Sequence, residues 1–129
     1  MRLISHNMLR CNMKGVEKGH PLKISAEKVE IRESVCNREF IKNIAASLDW
    51  DSLIYATKQV GLPEDMLPNE LDASLLENDG FLLALHRVLL DVHVLEGSLT
   101  CPETGRVFPV KNGIPNMLLE EDECAGYEQ

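Results

Sequence analysis

The chain has 129 residues, with 13 basic and 21 acidic side chains and a formal charge of −8. A chain of this length builds one main core, and an apolar share of 44% belongs to a folded globular protein rather than a disordered one, so a multi-domain enzyme is excluded. The acidic balance argues against a generic phosphate-backbone binder, which needs clustered Lys and Arg to displace counterions.

The amino-terminal stretch Met1 to Arg10 has only Arg2 as an early positive charge, and no apolar core of signal-peptide length before His6 and Asn7. No run approaches the roughly 20 apolar residues that span a bilayer. The longest candidate, Phe81 to Val94, is broken by His86, Arg87, Asp91 and His93. These features predict an intracellular protein without a membrane anchor. There Cys11, Cys36, Cys101 and Cys124 are expected as free thiols or metal ligands rather than as a disulfide framework.

Leu22 to Ile31 reads as extended, with Leu22, Ile24, Val29 and Ile31 facing a core and a bulge or break near Ser25 to Lys28. Asn37 is a good N-cap, and Phe40, Ile41, Ile44, Ala45 and Leu48 recur at helical spacing behind it. A second helix is expected with Asp51 as its cap, Leu53, Ile54, Thr57 and Val60 as its stripe, and Gly61 as its stop. Asp49, on the other side of Trp50, also reads as a capping residue. Pro63 to Asn69 reads as a loop and Leu71 to Leu76 as a short turn, before a third helix near Asp79 that carries Phe81, Leu82, Leu85, Val88 and Leu89.

The period then changes to two. Val92 to Glu96 reads as a strand, Gly97 and Ser98 as a turn, Leu99 and Thr100 as the return, Cys101 to Gly105 as another turn and Arg106 to Val110 as a strand. Asn112 and Gly113 give a strong two-residue hairpin signal, after which Ile114 to Leu119 should run back antiparallel. Pro109 and Pro115 lack a donor and belong at a strand edge or end. The expected fold is α+β: a small antiparallel sheet from residues 1–36 and 91–120, a helical domain of residues 37–90 inserted between them, and a solvated acidic tail of residues 121–129. Charge is uneven along the chain, with +3 over residues 1–36, −5 over 37–90 and −6 over 91–129.

Chemistry is scarce. A zinc ribbon presents two short thiolate pairs. Here Cys11 is followed by Val16 and Cys101 by Thr104, so each candidate knuckle holds one thiol, and no metal is expected. His6, His20, His86 and His93 share no metal spacing; His86 is expected at a helix edge, His93 on a strand face, and His6 beside Asn7 in a structural hydrogen bond at a turn. No Gly-x-Ser-x-Gly elbow or phosphate-cradling loop occurs, and Gly97, Gly105 and Gly113 stand eight apart, each in a turn of its own. What remains is apolar surface, since the stretch from Ile114 to Leu119 forms a sheet edge that either aggregates or is covered by a partner.

The residues also carry a likeness. The opening MRLISHNMLRC, the segment Leu95 to Pro102 and the segment Asn112 to Leu119 closely resemble the small activating subunit shared by several eukaryotic methyltransferases, a zinc-ribbon-like family. The resemblance implies a non-catalytic subunit that binds and stabilises S-adenosylmethionine-dependent methyltransferases acting on transfer RNA, small-subunit ribosomal RNA and a class I release factor. It therefore implies a place in ribosome biogenesis and translation, in cytoplasm and nucleus. The terminal β domain would cover an apolar face of the catalytic subunit and pair with an edge strand. The residues expected at that interface are Met8, Leu9, Val107, Phe108, Val110, Ile114, Pro115, Asn116, Met117, Leu118 and Leu119.

The expected partners are methyltransferase catalytic subunits in heterodimers, with RNA touched only indirectly and no small-molecule substrate. Some members of the family have a four-cysteine zinc knuckle at this place; Cys11 and Cys101 are retained here, while Val16 and Thr104 stand at the other two matching positions. The competing reading is a degenerate zinc-ribbon adaptor for nucleic acid or transcription machinery, which the charge of −8 disfavours.

Overall fold

The computed structural model describes residues 1–17 and 19–119, and its sheet joins segments far apart in sequence. Strand β1 (Lys23–Ile31) pairs with β2 (Val92–Thr100), β2 with β3 (Val107–Lys111), and β3 with β4 (Ile114–Pro115), all antiparallel and in the order β1-β2-β3-β4. The fold is α+β, as the sequence predicts. The acidic tail and Cys124 lie outside the described residues.

The register runs from Lys23 opposite Thr100 to Ile31 opposite Val92, with shifts on both sides of Lys28. The irregularity expected between Ser25 and Lys28 is thus a bulge within one strand. Val29 and Ile31 are exposed rather than in the core, Ile31 at 63%, because among the described residues nothing packs over this end of β1. The turn expected at Gly97 and Ser98 is absent. β2 runs through Gly97, which lies opposite Ala26 on one side and Val110 on the other. A Cβ there would sit 2.3 Å from the Ser25 carbonyl oxygen, so glycine answers a close approach of two strands rather than a change of direction.

Between β1 and β2 lie α2 (Arg38–Ala45), α3 (Trp50–Gln59), a 3-10 turn (Ala73–Glu77) and α4 (Asp79–His86), which continues as a π turn over Arg87–Asp91. Asn37 caps α2 by accepting the Phe40 N–H at 3.1 Å, and Asn78 caps α4 by accepting the Phe81 N–H at 3.0 Å. The cap of α3 is Asp49, which accepts the Ser52 N–H at 3.1 Å. Asp51 falls in the first turn instead, where its charge favours the helix N-terminus without capping it. Gly61, at φ +81°, stops α3 as expected, and the Leu62 N–H returns to Thr57 O at 3.0 Å.

A helix that the sequence reading did not anticipate, α1 (Leu3–Met8), opens the chain. It turns Leu3, His6 and Asn7 inward at helical spacing. The two residues preceding it join the sheet, since Met1 O accepts the Val94 N–H at 2.8 Å and Arg2 bridges His93.

One core holds these parts together. Leu3 from α1, Leu22 just before β1 and Ile24 within it, Ile41, Leu53, Leu82 and Leu85 from the helices, and Val94, Leu99, Phe108 and Val110 from the other strands form a single buried cluster. Burying each such side chain contributes about 1.5–3 kcal/mol. The two crossings between sheet and helices are tied by a polar cluster. Ser34 Oγ donates to Asp91 Oδ1 at 2.6 Å, His86 Nε2 lies 3.1 Å from Ser34 Oγ and 3.3 Å from Asp91 Oδ1, and the Arg32 N–H donates to Asp91 O at 2.8 Å. His86 is therefore not at a helix edge: it is buried because it closes this knot.

Candidate partner-docking site

In β3 the side chains alternate, with Val107, Pro109 and Lys111 turned to solvent and Phe108 and Val110 turned to the core. Phe108 and Val110 were expected to meet a partner. Each is only 1% exposed, because the register sets Phe108 against Leu99 inside the sheet, and the Arg106 guanidinium lies 5.1 Å above the Phe108 ring. They belong to this chain's own interior. The sequence reading did not single out Arg106, although its position two residues from Phe108 on an alternating strand was the signal that the two share a face.

The hairpin forms at Asn112 and Gly113, whose φ values of 53° and 77° suit the two-residue turn that this pair favours. It places Ile114 opposite Lys111, on the solvent face with Val107 and Pro109. The antiparallel return is shorter than expected. Only Ile114 and Pro115 pair with β3, followed by one further bond from the Asn116 N–H to Pro109 O at 2.9 Å. The reason lies in Pro109: amide and carbonyl of a strand residue point the same way, so the donor it lacks would have faced this edge.

From Ile114 to Leu119 the chain nevertheless keeps a period of two. Ile114, Asn116 and Leu118 are exposed, Ile114 at 69% and Leu118 at 79%, while Pro115, Met117 and Leu119 are half-buried, the last two packed against the core. The result is an extended segment with one face seated, apolar side chains on the other, and little of its backbone paired. Met8, at the end of α1, is exposed, and Leu9 is half-buried with its carbonyl accepting from His20 Nδ1 at 2.9 Å.

The two half-knuckles face each other. The Cys11 N–H donates to Gly19 O at 2.8 Å, and a Cβ on Gly19 would sit 2.4 Å from Cys11 O and 3.1 Å from a Val16 methyl carbon. Across from this turn, Cys101 N–H donates to Arg106 O at 2.9 Å and Gly105 N–H to Cys101 O at 3.0 Å. Thr104 Oγ1 donates to Met13 Sδ at 3.6 Å, and the Glu17 N–H to Glu103 Oε2 at 3.0 Å. The Cys11 and Cys101 thiols are near enough to shift each other's titration. Burial pushes the Cys11 thiol pKa up. At Cys101 burial acts in the same sense, but hydrogen bonds from the Thr104 side chain and amide and from Glu103, together with the nearby Cys11, outweigh it and bring the thiol down.

Two thiols, a threonine and a valine do not make a zinc site, which when structural takes four Cys, His or carboxylate ligands. Among the described residues no group of three or more His, Cys, Asp or Glu is arranged to hold a metal ion, and no helix is long and apolar enough to cross a membrane. Val16 packs against the core instead, as a ligand's replacement by an apolar side chain would require.

Residues 2–113 match the family pattern of Trm112p-like proteins. The chain is 51% identical over 125 residues to the multifunctional methyltransferase subunit TRM112 homolog A of Arabidopsis thaliana, covering 95% of this chain and 99% of the relative. It is 40% identical over 124 residues to the TRM112-like methyltransferase subunit of Mus musculus, with coverage of 95% and 98%. For the TRM112 methyltransferase subunit of Saccharomyces cerevisiae the identity is 29% over 130 residues, with coverage of 92% and 96%. Its fold is similar to that of a chain in the E. cuniculi Mtq2–Trm112 complex, which is responsible for methylation of the eRF1 translation termination factor; the TM-score is 0.54 at 22% identity, over 92% of this chain and 95% of that one. From the opening residues through the Asn112-Gly113 turn, this chain belongs to the Trm112p-like family.

Proposed function

We propose that this chain is an activating and stabilising subunit of S-adenosylmethionine-dependent methyltransferases, with the chemistry carried by the partner. The observation that carries the reading is the segment from Ile114 to Leu119: it exposes Ile114 and Leu118 and leaves an edge that pairs only through Ile114, Pro115 and the Asn116 amide. Such an edge offers backbone donors and acceptors to a strand of another protein, while alternate side chains supply the apolar contact. A partner strand laid along it would satisfy both.

The name shared by the curated relatives, multifunctional methyltransferase subunit, supports more than one partner, and the E. cuniculi complex supports a release-factor methyltransferase as one of them. The resemblance extends the reading to enzymes that modify transfer RNA and small-subunit ribosomal RNA, in cytoplasm and nucleus. The charge of −8 fits a subunit that leaves the gripping of RNA to a basic catalytic partner. In this reading the chain works as a heterodimer, touches RNA only through its partner, takes no small-molecule substrate and needs no zinc.

Co-expression tests the proposal. Candidate methyltransferases should be insoluble or inactive alone, and soluble and active with this chain. Equal solubility and activity without it would overturn the reading. Elemental analysis of the purified chain should find no stoichiometric zinc; one equivalent would overturn that part.

A further inference from the structure

We propose that Cys11 and Cys101 form an oxidisable dithiol, which hydrogen peroxide closes into a disulfide clasping the amino-terminal turn to the turn between β2 and β3. The geometry points to it. Both side chains are buried in the same cluster, each is held by backbone hydrogen bonds of its own turn, and the two turns are bridged by Thr104 Oγ1 to Met13 Sδ at 3.6 Å and by the Glu17 N–H to Glu103 Oε2 at 3.0 Å. A disulfide needs about 2.05 Å between sulfurs, so the two turns must close on each other for the bond to form. Asn12, Lys14 and Gly15 on one side and Pro102 to Gly105 on the other are exposed, so no close packing opposes that movement at these residues.

The pair is also set up asymmetrically. The Thr104 N–H points at Cys101 Sγ at 3.5 Å and pulls that thiol's pKa down, while burial pushes the Cys11 thiol's up. A cleft of about 450 Å³ lined by Glu17, His20, Pro102 and Glu103 opens beside the same turns and admits a molecule as small as peroxide.

The Cys101 thiolate attacks one oxygen of hydrogen peroxide and the O–O bond breaks, giving a sulfenic acid at Cys101 and a hydroxide that takes a proton from water or buffer. Cys11 sulfur then attacks the sulfenic sulfur. The S–S bond forms, the S–O bond breaks, and the hydroxide leaves as water with the Cys11 proton. Two thiols are oxidised and one peroxide is reduced to two waters. The clasp lies where a four-cysteine knuckle would have cross-linked the same two turns. Because it spans most of the chain, it constrains the unfolded state strongly.

The experiment uses the full chain in a Cys36→Ser, Cys124→Ser background, treated with hydrogen peroxide under native conditions, alkylated and mapped without reduction. The expected result is an intact mass lighter by two hydrogens, a peptide pair linked through Cys11 and Cys101, a Tm raised by several degrees, and reversal by dithiothreitol. In Cys11→Ser the Cys101 sulfenic acid, with no thiol to resolve it, should be captured by dimedone. Two alkylated thiols after treatment, or sulfinic acid without a link, would overturn the proposal. The unsubstituted chain serves as a second measurement: a Cys11–Cys101 link among its four cysteines supports the clasp, and pairing through Cys36 or Cys124 instead refutes it.

Discussion

The Asn7 side chain holds the Asp49 peptide on both sides: its Nδ2 donates to Asp49 O at 2.8 Å and its Oδ1 accepts the Asp49 N–H at 3.0 Å. The contact joins α1 to the N-cap of α3 and pairs the Asp49 N–H, while Asp49 O is shared with the first intrahelical donor, the Leu53 N–H. Asn7→Ala removes both bonds and orphans the part-buried Asp49 N–H, while Asp49 O keeps the Leu53 N–H, a loss of about 1–3 kcal/mol. Denaturant unfolding should show it, and a midpoint equal to that of the unsubstituted chain would contradict the role given to Asn7.

His6 should make stability depend on pH. Its ring is buried with Nε2 on Leu22 O at 2.7 Å and Nδ1 without a partner, and burial lowers its pKa from the ordinary 6.5. The unfolded chain takes up a proton below pH 6.5 and the folded chain resists it. The contribution is therefore complete above that pH and is lost as the pH falls toward the folded value. Tm should drop between pH 7 and 5, less steeply in His6→Gln; parallel profiles would count against His6 as the source.

Ile114→Asp and Leu118→Asp separate docking from folding. Both side chains stand in solvent, so each change should leave unfolding within about 0.5 kcal/mol while abolishing co-purification with a methyltransferase. Phe108→Ala should act the other way, costing about 3–5 kcal/mol of stability because the ring is in the core. Retention of the complex by both aspartate variants would remove this edge as the docking site.

Gly97→Ala tests the strand that was read as a turn. With the added Cβ placed 2.3 Å from Ser25 O, β1 and β2 must separate, and the expected loss is about 2–3 kcal/mol. Thermal unfolding measures it directly; a neutral result would mean that the strands spread without strain.

Local signals in the sequence were legible where local chemistry decides. Asn37 announces α2, Gly61 ends α3, and Asn112 with Gly113 turns β3 into β4. Where packing decides, the signal failed. LISHNM mixes polar and apolar residues, and the burial of His6 and Asn7 follows from partners at Leu22 and Asp49 that no local pattern reveals. Alternation in β3 separates Val107 from Phe108 but does not say which face the helices cover. The apolar edge itself was readable from residues 114–119. That the ladder stops after Pro115 depends on the side of the sheet toward which Pro109 turns its missing donor.

The pairing of β1 with β2 across the helical insertion also sets an order of events at the ribosome. β1 is synthesised before any helix it packs on, yet its ladder partner begins only at Val92, so β1 must wait in an unpaired state while α2, α3 and α4 emerge. Through that interval Ile24 and Leu22 have helices to shelter against but no strand beside them. The edge we propose for docking follows later still, after β3, so on that proposal a partner enzyme could capture the chain only when nearly all of the sheet has been made.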